Sequence, residues 1–172
     1  LQSNIINIFT SIFDSIILIM GKNKFKSWVV KRRNMLSWIF SILIAIILVQ
    51  SLFFKFTNSA ETQYIFGILG QFVGASFLSP FSELVMHYGG YIVGILEMVG
   101  VILLLFHDTR NIGSTLICVL MIGALFSHIF TPLGIVGNDG GLLFGMAVLV
   151  LVSSLIVAYL EELRVRLVYR KH

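Results

Sequence analysis

Charge is scarce in this chain. Only 12% of its 172 residues are Asp, Glu, Lys or Arg, roughly half the share found in a soluble domain. That shortage excludes a disordered chain, a coiled coil and most soluble enzymes. A single cysteine, Cys118, excludes a disulfide scaffold, a dithiol redox pair and a Cys-ligated zinc or iron–sulfur site within the chain. No HExxH, no Glu-x-x-His pair, no haem-attachment motif and no nucleotide fingerprint is present, so no metal and no intrinsic cofactor is expected. There is also no convincing internal repeat and no low-complexity linker. What is abundant is apolar: 58% of the residues are hydrophobic and 13% aromatic. The mean hydropathy of +0.98 points to lipid as the solvent. The sequence pI is near 9.4. Its basic residues cluster between apolar runs rather than over a folded face, so nucleic acid is not an expected partner.

A bilayer core about 30 Å thick is crossed by about 20 apolar residues in a helix. Four stretches qualify, at about 35–54, 84–106, 112–130 and 142–160. Hydrocarbon leaves backbone groups no outside partner, so each stretch is expected to be a helix. A fifth apolar stretch, Tyr64–Pro80, contains Gly67, Gly70, Gly74 and Gln71 and is ambiguous. The positive-inside rule arbitrates. With four spans, Lys22, Lys24, Lys26, Lys31, Arg32, Arg33, Arg110, Arg164, Arg166, Arg170 and Lys171 share the inner side, and only Lys55 lies outside. A fifth span would divide the cations evenly. Tyr64–Pro80 is therefore expected to be a short, broken extracytoplasmic helix.

The predicted fold is an all-α membrane protein, a four-helix transmembrane bundle with both termini cytoplasmic. The bundle occupies 34–163 and a basic tail 164–172. Residues 1–33 form an anchor. Ile5, Phe9, Ile12, Ile16 and Ile19 recur at helical spacing, which predicts an amphipathic helix on the inner surface. The basic run after it would hold anionic lipid at about 1 kcal/mol per cation. A secretory signal carries its positive charge ahead of the apolar run, whereas here it follows.

A few polar residues sit where lipid should have excluded them. Glu97 lies just past the middle of the second span, at a cost of about 2.5–3.5 kcal/mol. Gly90, Gly94 and Glu97 follow at steps of four and three, so one glycine-lined face should turn Glu97 into the bundle. It is either a helix-locking hydrogen-bonding group or a functional carboxyl. Lys55 closes the first span; it either snorkels outward or bends in to pair with Glu97 or a ligand oxygen. Gln50 and Ser51 lie one turn below it. His128 and His87 fall near the outer ends of the third and second spans, where proton relay or a bond to a quinone carbonyl suits them better than haem ligation. Asp139 precedes the fourth span, as an N-cap or a ligand-binding group.

The segments QSLFFKF, YIFGILG, GILEMVGVILLL, MIGALFSHIF and NDGGLLF resemble the DoxX family of small bacterial membrane proteins, over about residues 35–160. That resemblance implies a four-helix bundle in the bacterial inner membrane and an association with oxidoreduction, some relatives being subunits of thiosulfate:quinone oxidoreductases. Lys55, Glu97 and His128 match the family pattern. Lacking a cysteine pair and a nucleotide fingerprint, the chain is expected to be at most a subunit of a quinone-linked enzyme rather than a catalyst alone. The expected ligand is a bound quinone or lipid, and the expected partners are the bilayer and other membrane subunits. The alternative is a non-catalytic structural or assembly subunit. No pair of interrupted helices in matched halves favours a transporter.

Overall fold

The computed structural model describes the backbone of residues 22–134 and 139–169 and the side chains of 32–134 and 139–163. The amphipathic helix expected over 1–20 lies outside the described residues. Among those described, all regular structure is helical. α1 runs Lys22–Phe56, α2 Ala60–Gly74, α3 Ser82–Leu105, α4 Arg110–Phe130 and α5 Leu142–Tyr169; a 3-10 turn, Ser79–Phe81, leads into α3. Four of these helices (α1, α3, α4 and α5) are long and apolar enough to cross a bilayer. The basic run at 22–33 is not a separate element. It is helical and continuous with the first span, and at 1.5 Å per residue α1 reaches about 52 Å, well beyond a hydrocarbon core. Likewise α5 carries the start of the basic tail within its helix.

Each span turns a line of residues inward at steps of three and four, widened on α5 by Ser153, Tyr159 and Leu160. On α1 the buried residues are Ser37, Ser41, Ile44, Leu48 and Leu52. On α3 the line is Gly90, Gly94, Glu97, Val101 and Leu104, widened by Gly89 and Gly100. Arg110, Ser114, Ile117 and Met121 form the stripe of α4, and Ala147, Val150, Ser154, Val157 and Glu161 that of α5. This spacing is the seam of helices crossing at a shallow angle. α1 packs on α3 and α5, and α4 packs on the same two, so the four spans close a ring.

The distribution of polarity is inverted relative to a water-soluble bundle. Serines, glutamates and an arginine are buried, while Ile39, Ile46, Phe53, Ile129 and other large apolar side chains face out. Burying hydroxyls while exposing isoleucine and phenylalanine is stable only where the surroundings are apolar. Between the polar groups at either end lies a dry layer of Ile44, Leu48, Val101, Leu104, Ile117, Met121, Val150 and Val157.

Tyr64–Pro80 departs from expectation in one respect. The helix runs unbroken through Gly67 and Gly70, and the interruption comes only at 75–78, before the 3-10 turn. Gly70 serves contact rather than breakage, whereas Gly67 has nothing within 4 Å of its Cβ position. Gly70 lies against Met86, and the Phe66 ring of α2 covers Gly89 and Gly90 of α3. α2 thus runs antiparallel along the first half of α3. α1 stops beside Gly94, near the middle of α3, where Lys55 and Phe56 meet it.

Candidate functional site

The junction between α1 and α2 closes its own hydrogen bonds. The Phe53 carbonyl accepts from the backbone and hydroxyl of Thr57, at 3.1 and 2.8 Å. The Phe54 carbonyl accepts from the Ser59 amide and from Thr62 Oγ1, both at 3.1 Å. Asn58 takes the left-handed conformation (φ 48°) that reverses the chain, which an asparagine tolerates better than most residues. Ser59 then caps α2, its side chain accepting from the Thr62 amide at 3.2 Å.

Lys55 occupies the last turn of α1, where the helix dipole favours a cation. Its Nζ donates to Glu97 Oε2 at 2.8 Å and Oε1 at 3.0 Å, and to Ser51 Oγ. All three ammonium donors are thereby engaged. The side chain of Glu97 is 4% exposed and that of Lys55 16%, so the lysine is the face an incoming group meets first. Gly94, beside Lys55, and Gly90, beside Thr62, let α1 and α2 approach α3 around the pair.

Gln50 and Ser51, adjacent in sequence, part company here. Ser51 turns in to Lys55, whereas Gln50 is exposed on the outer face of α1. His128 belongs to another group. Its Nδ1 donates to the Gly134 carbonyl at 2.7 Å, and its ring stands edge-on to Phe144. Among the described residues, no hydrogen bond or ion pair joins His128 to Lys55 or Glu97. His87 is exposed near the start of α3. Asp139 binds the start of α5: Oδ1 accepts from the Gly141 amide at 2.8 Å and Oδ2 from the Leu143 amide at 3.0 Å. Gly140 and Gly141, both at positive φ, allow the tight approach this requires. The Leu143 amide above all, then the Gly141 amide and the nearby His128, hold the Asp139 carboxyl below its ordinary pKa.

A second buried ion pair lies at the opposite end of the bundle, where sequence reading placed only a loop cation. Arg110 Nη1 lies 3.3 Å from Glu161 Oε1, and Ser37 Oγ donates to the same carboxylate oxygen at 2.7 Å. Arg110 Nε donates to the Leu104 carbonyl at 3.0 Å, and the guanidinium lies 4.1 Å over the Trp38 ring. One side chain on α4 thus touches α1, α3 and α5. The signal for Glu161 was its place in the line Ala147, Val150, Ser154, Val157, Glu161.

Comparison with protein-family models, with characterised proteins and with solved structures gives no match for this chain.

Proposed function

We propose that this chain is a DoxX-like subunit of a redox assembly in a bacterial cytoplasmic membrane, with both ends on the cytoplasmic side. Its ligand is a quinone-like or lipid-like amphiphile whose polar head meets Lys55. The observation that carries this reading is the Lys55–Glu97 pair itself, an ammonium and a carboxylate side by side within an apolar bundle. Buried intramembrane ionisable groups mark ligand and proton sites more often than other polar residues do. Lys55 donates to a carbonyl or phosphate oxygen by exchanging its bond to Ser51. Glu97, more deeply buried, fixes the ammonium and is the group placed to exchange a proton with a bound head. His128, held by Gly134, orders the loop ahead of α5 on this reading.

The test is to purify the protein with its native partners and extract the bound lipids. Co-purifying quinone, lost in Glu97→Gln together with quinone-linked activity, is the expected result. No quinone, with unchanged activity in Glu97→Gln, rejects the reading.

A second reading, a non-catalytic brace for a larger complex, is favoured by Arg110, which contacts the other three spans. It predicts that Glu97→Gln leaves the complex intact on blue-native electrophoresis while removal of residues 1–33 disperses it. A free monomer in native membranes would count against it.

A further inference from the structure

Polar atoms without partners gather at one end of the bundle. Among the described residues, Arg33 Nη1, Ser41 Oγ and Arg110 Nη2 are buried and make no hydrogen bond. Arg33, Ser37 and Ser41 follow at steps of four on α1, and Ser37 Oγ lies 3.5 Å from Arg110 Nη1. All of them therefore belong to the Arg110–Glu161 end. At the Lys55–Glu97 end every ammonium donor has an acceptor.

What this end lacks is an acceptor. A cationic N–H that has lost its water without gaining an oxygen bears the full cost of desolvation. Glu161 already accepts from Arg110 Nη1 and from Ser37. Asp108, in the α3–α4 connection, is exposed and bonds neither arginine among the described residues. Beyond Arg33 and Glu162, α1 and α5 carry Lys31, Arg32, Arg164 and Arg166 and no acidic residue. The N-terminus of α4 opens at the same end, with no acid in its first turn and no side-chain cap; the Thr109 hydroxyl donates instead to the Leu103 carbonyl at 2.9 Å. Guanidinium donors and an uncapped helix start, both short of oxygens, complement a phosphate.

We propose that Arg33 and Arg110 hold the phosphate of an anionic ligand at this end of the bundle, carried by a lipid headgroup or by a soluble phosphate. Arg33 is half-buried and meets the ligand first. Arg110, beside Ser37 and one turn of α1 deeper, is 1% exposed and supplies the inner donor. A basic surface attracts anionic lipid diffusely wherever its cations lie. Here two particular guanidiniums, each with a donor unused, define a discrete site. The dry layer separates it from Lys55, so its failure would not bear on the function proposed above.

The test uses the full chain, delipidated in neutral detergent, with native mass spectrometry across titrations of phosphatidylglycerol and of phosphatidylcholine. One phosphatidylglycerol per chain should be retained, about tenfold more tightly than phosphatidylcholine, and Arg33→Gln should weaken it about tenfold. Arg32→Gln removes the same charge from the neighbouring exposed position and should have little effect. The Arg110–Glu161–Ser37 contacts do not involve Arg33, so the Arg33→Gln variant should fold. Thermal unfolding in excess inorganic phosphate separates the sources. Phosphate that stabilises the parent chain but not Arg33→Gln, without selective lipid retention, assigns the site to a soluble phosphate; selective retention that inorganic phosphate does not displace assigns it to a headgroup. Binding of neither ligand overturns the proposal. So does equal retention of the two lipids without an effect of inorganic phosphate, or equal losses in Arg32→Gln and Arg33→Gln, which is the mark of diffuse attraction.

Discussion

Lys55 and Glu97 each give up most of their water on folding, and each charge is tolerable because the other lies 2.8 Å away. Removing one partner should therefore cost far more than removing both. Lys55→Met or Glu97→Leu alone is expected to destabilise the bundle by about 3–5 kcal/mol. The double variant should recover most of that loss, since well-packed apolar residues replace a buried pair at little cost. Reversible unfolding in mixed micelles of the two single variants and the double variant measures the coupling; additive losses would mean the residues do not act as a pair. Asp139 is a residue of another kind, half-buried at the start of α5 and held in its charged form by the amides of Leu143 and Gly141. Its folded pKa is lowered, so its contribution is complete above the ordinary carboxylate value. The contribution is lost as the pH falls below that value through the lowered one. Amide exchange at Leu143 should accelerate over that acid window, and Asp139→Asn should remove the dependence.

At the scale of elements, the glycines divide by what stands opposite them. A Cβ added at Gly113 would lie 2.7 Å from the Leu103 carbonyl carbon and 2.8 Å from the Leu104 Cα, backbone that cannot rotate away. Gly113→Ala should force α3 and α4 apart and cost about 1–3 kcal/mol. Gly123 has nothing within 4 Å of the same position. There alanine should be neutral or gain up to about 1 kcal/mol from helix propensity. The two variants can be compared in one thermal-denaturation series, and equal effects would contradict this account of the α3–α4 contact. The same division explains why α2 was hard to read in advance. Its glycines carry no local mark separating a helix break from a helix contact, and only the approach of Met86 to Gly70 reveals that contact applies there.

For the whole molecule, the sequence was legible wherever lipid sets the rule. Four spans followed from run length and the placement of cations, and the inward turn of Glu97 followed from the glycines one and two turns before it. Lys55 as its partner was one of two open readings, decided by α1 ending beside Gly94. Illegible were the features that depend on how helices meet. Arg110, in a short connection between spans, counts in sequence as a topology marker. In the fold, its guanidinium bonds the last turn of α3, a serine of α1 and a glutamate of α5. The two ion pairs are set apart along α1, with Ser37 and Ser51 separated by about 21 Å of helix rise and the dry layer between them. The bundle is therefore clasped near both ends, and the clasps should be separable. Arg110→Met should weaken contacts among all four spans and leave Glu161 buried without its guanidinium, a loss of about 3–5 kcal/mol. Arg110→Lys should recover only part of it, because a single ammonium cannot reach the Leu104 carbonyl, Ser37 and Glu161 with the geometry of a planar fork. Arg110→Met combined with Glu161→Leu should recover more. If the clasps are independent, the cost of Arg110→Met will be the same with Lys55 and Glu97 present or replaced by Met and Leu, within about 0.5 kcal/mol. A larger difference would mean that the dry layer transmits strain from one end of the bundle to the other.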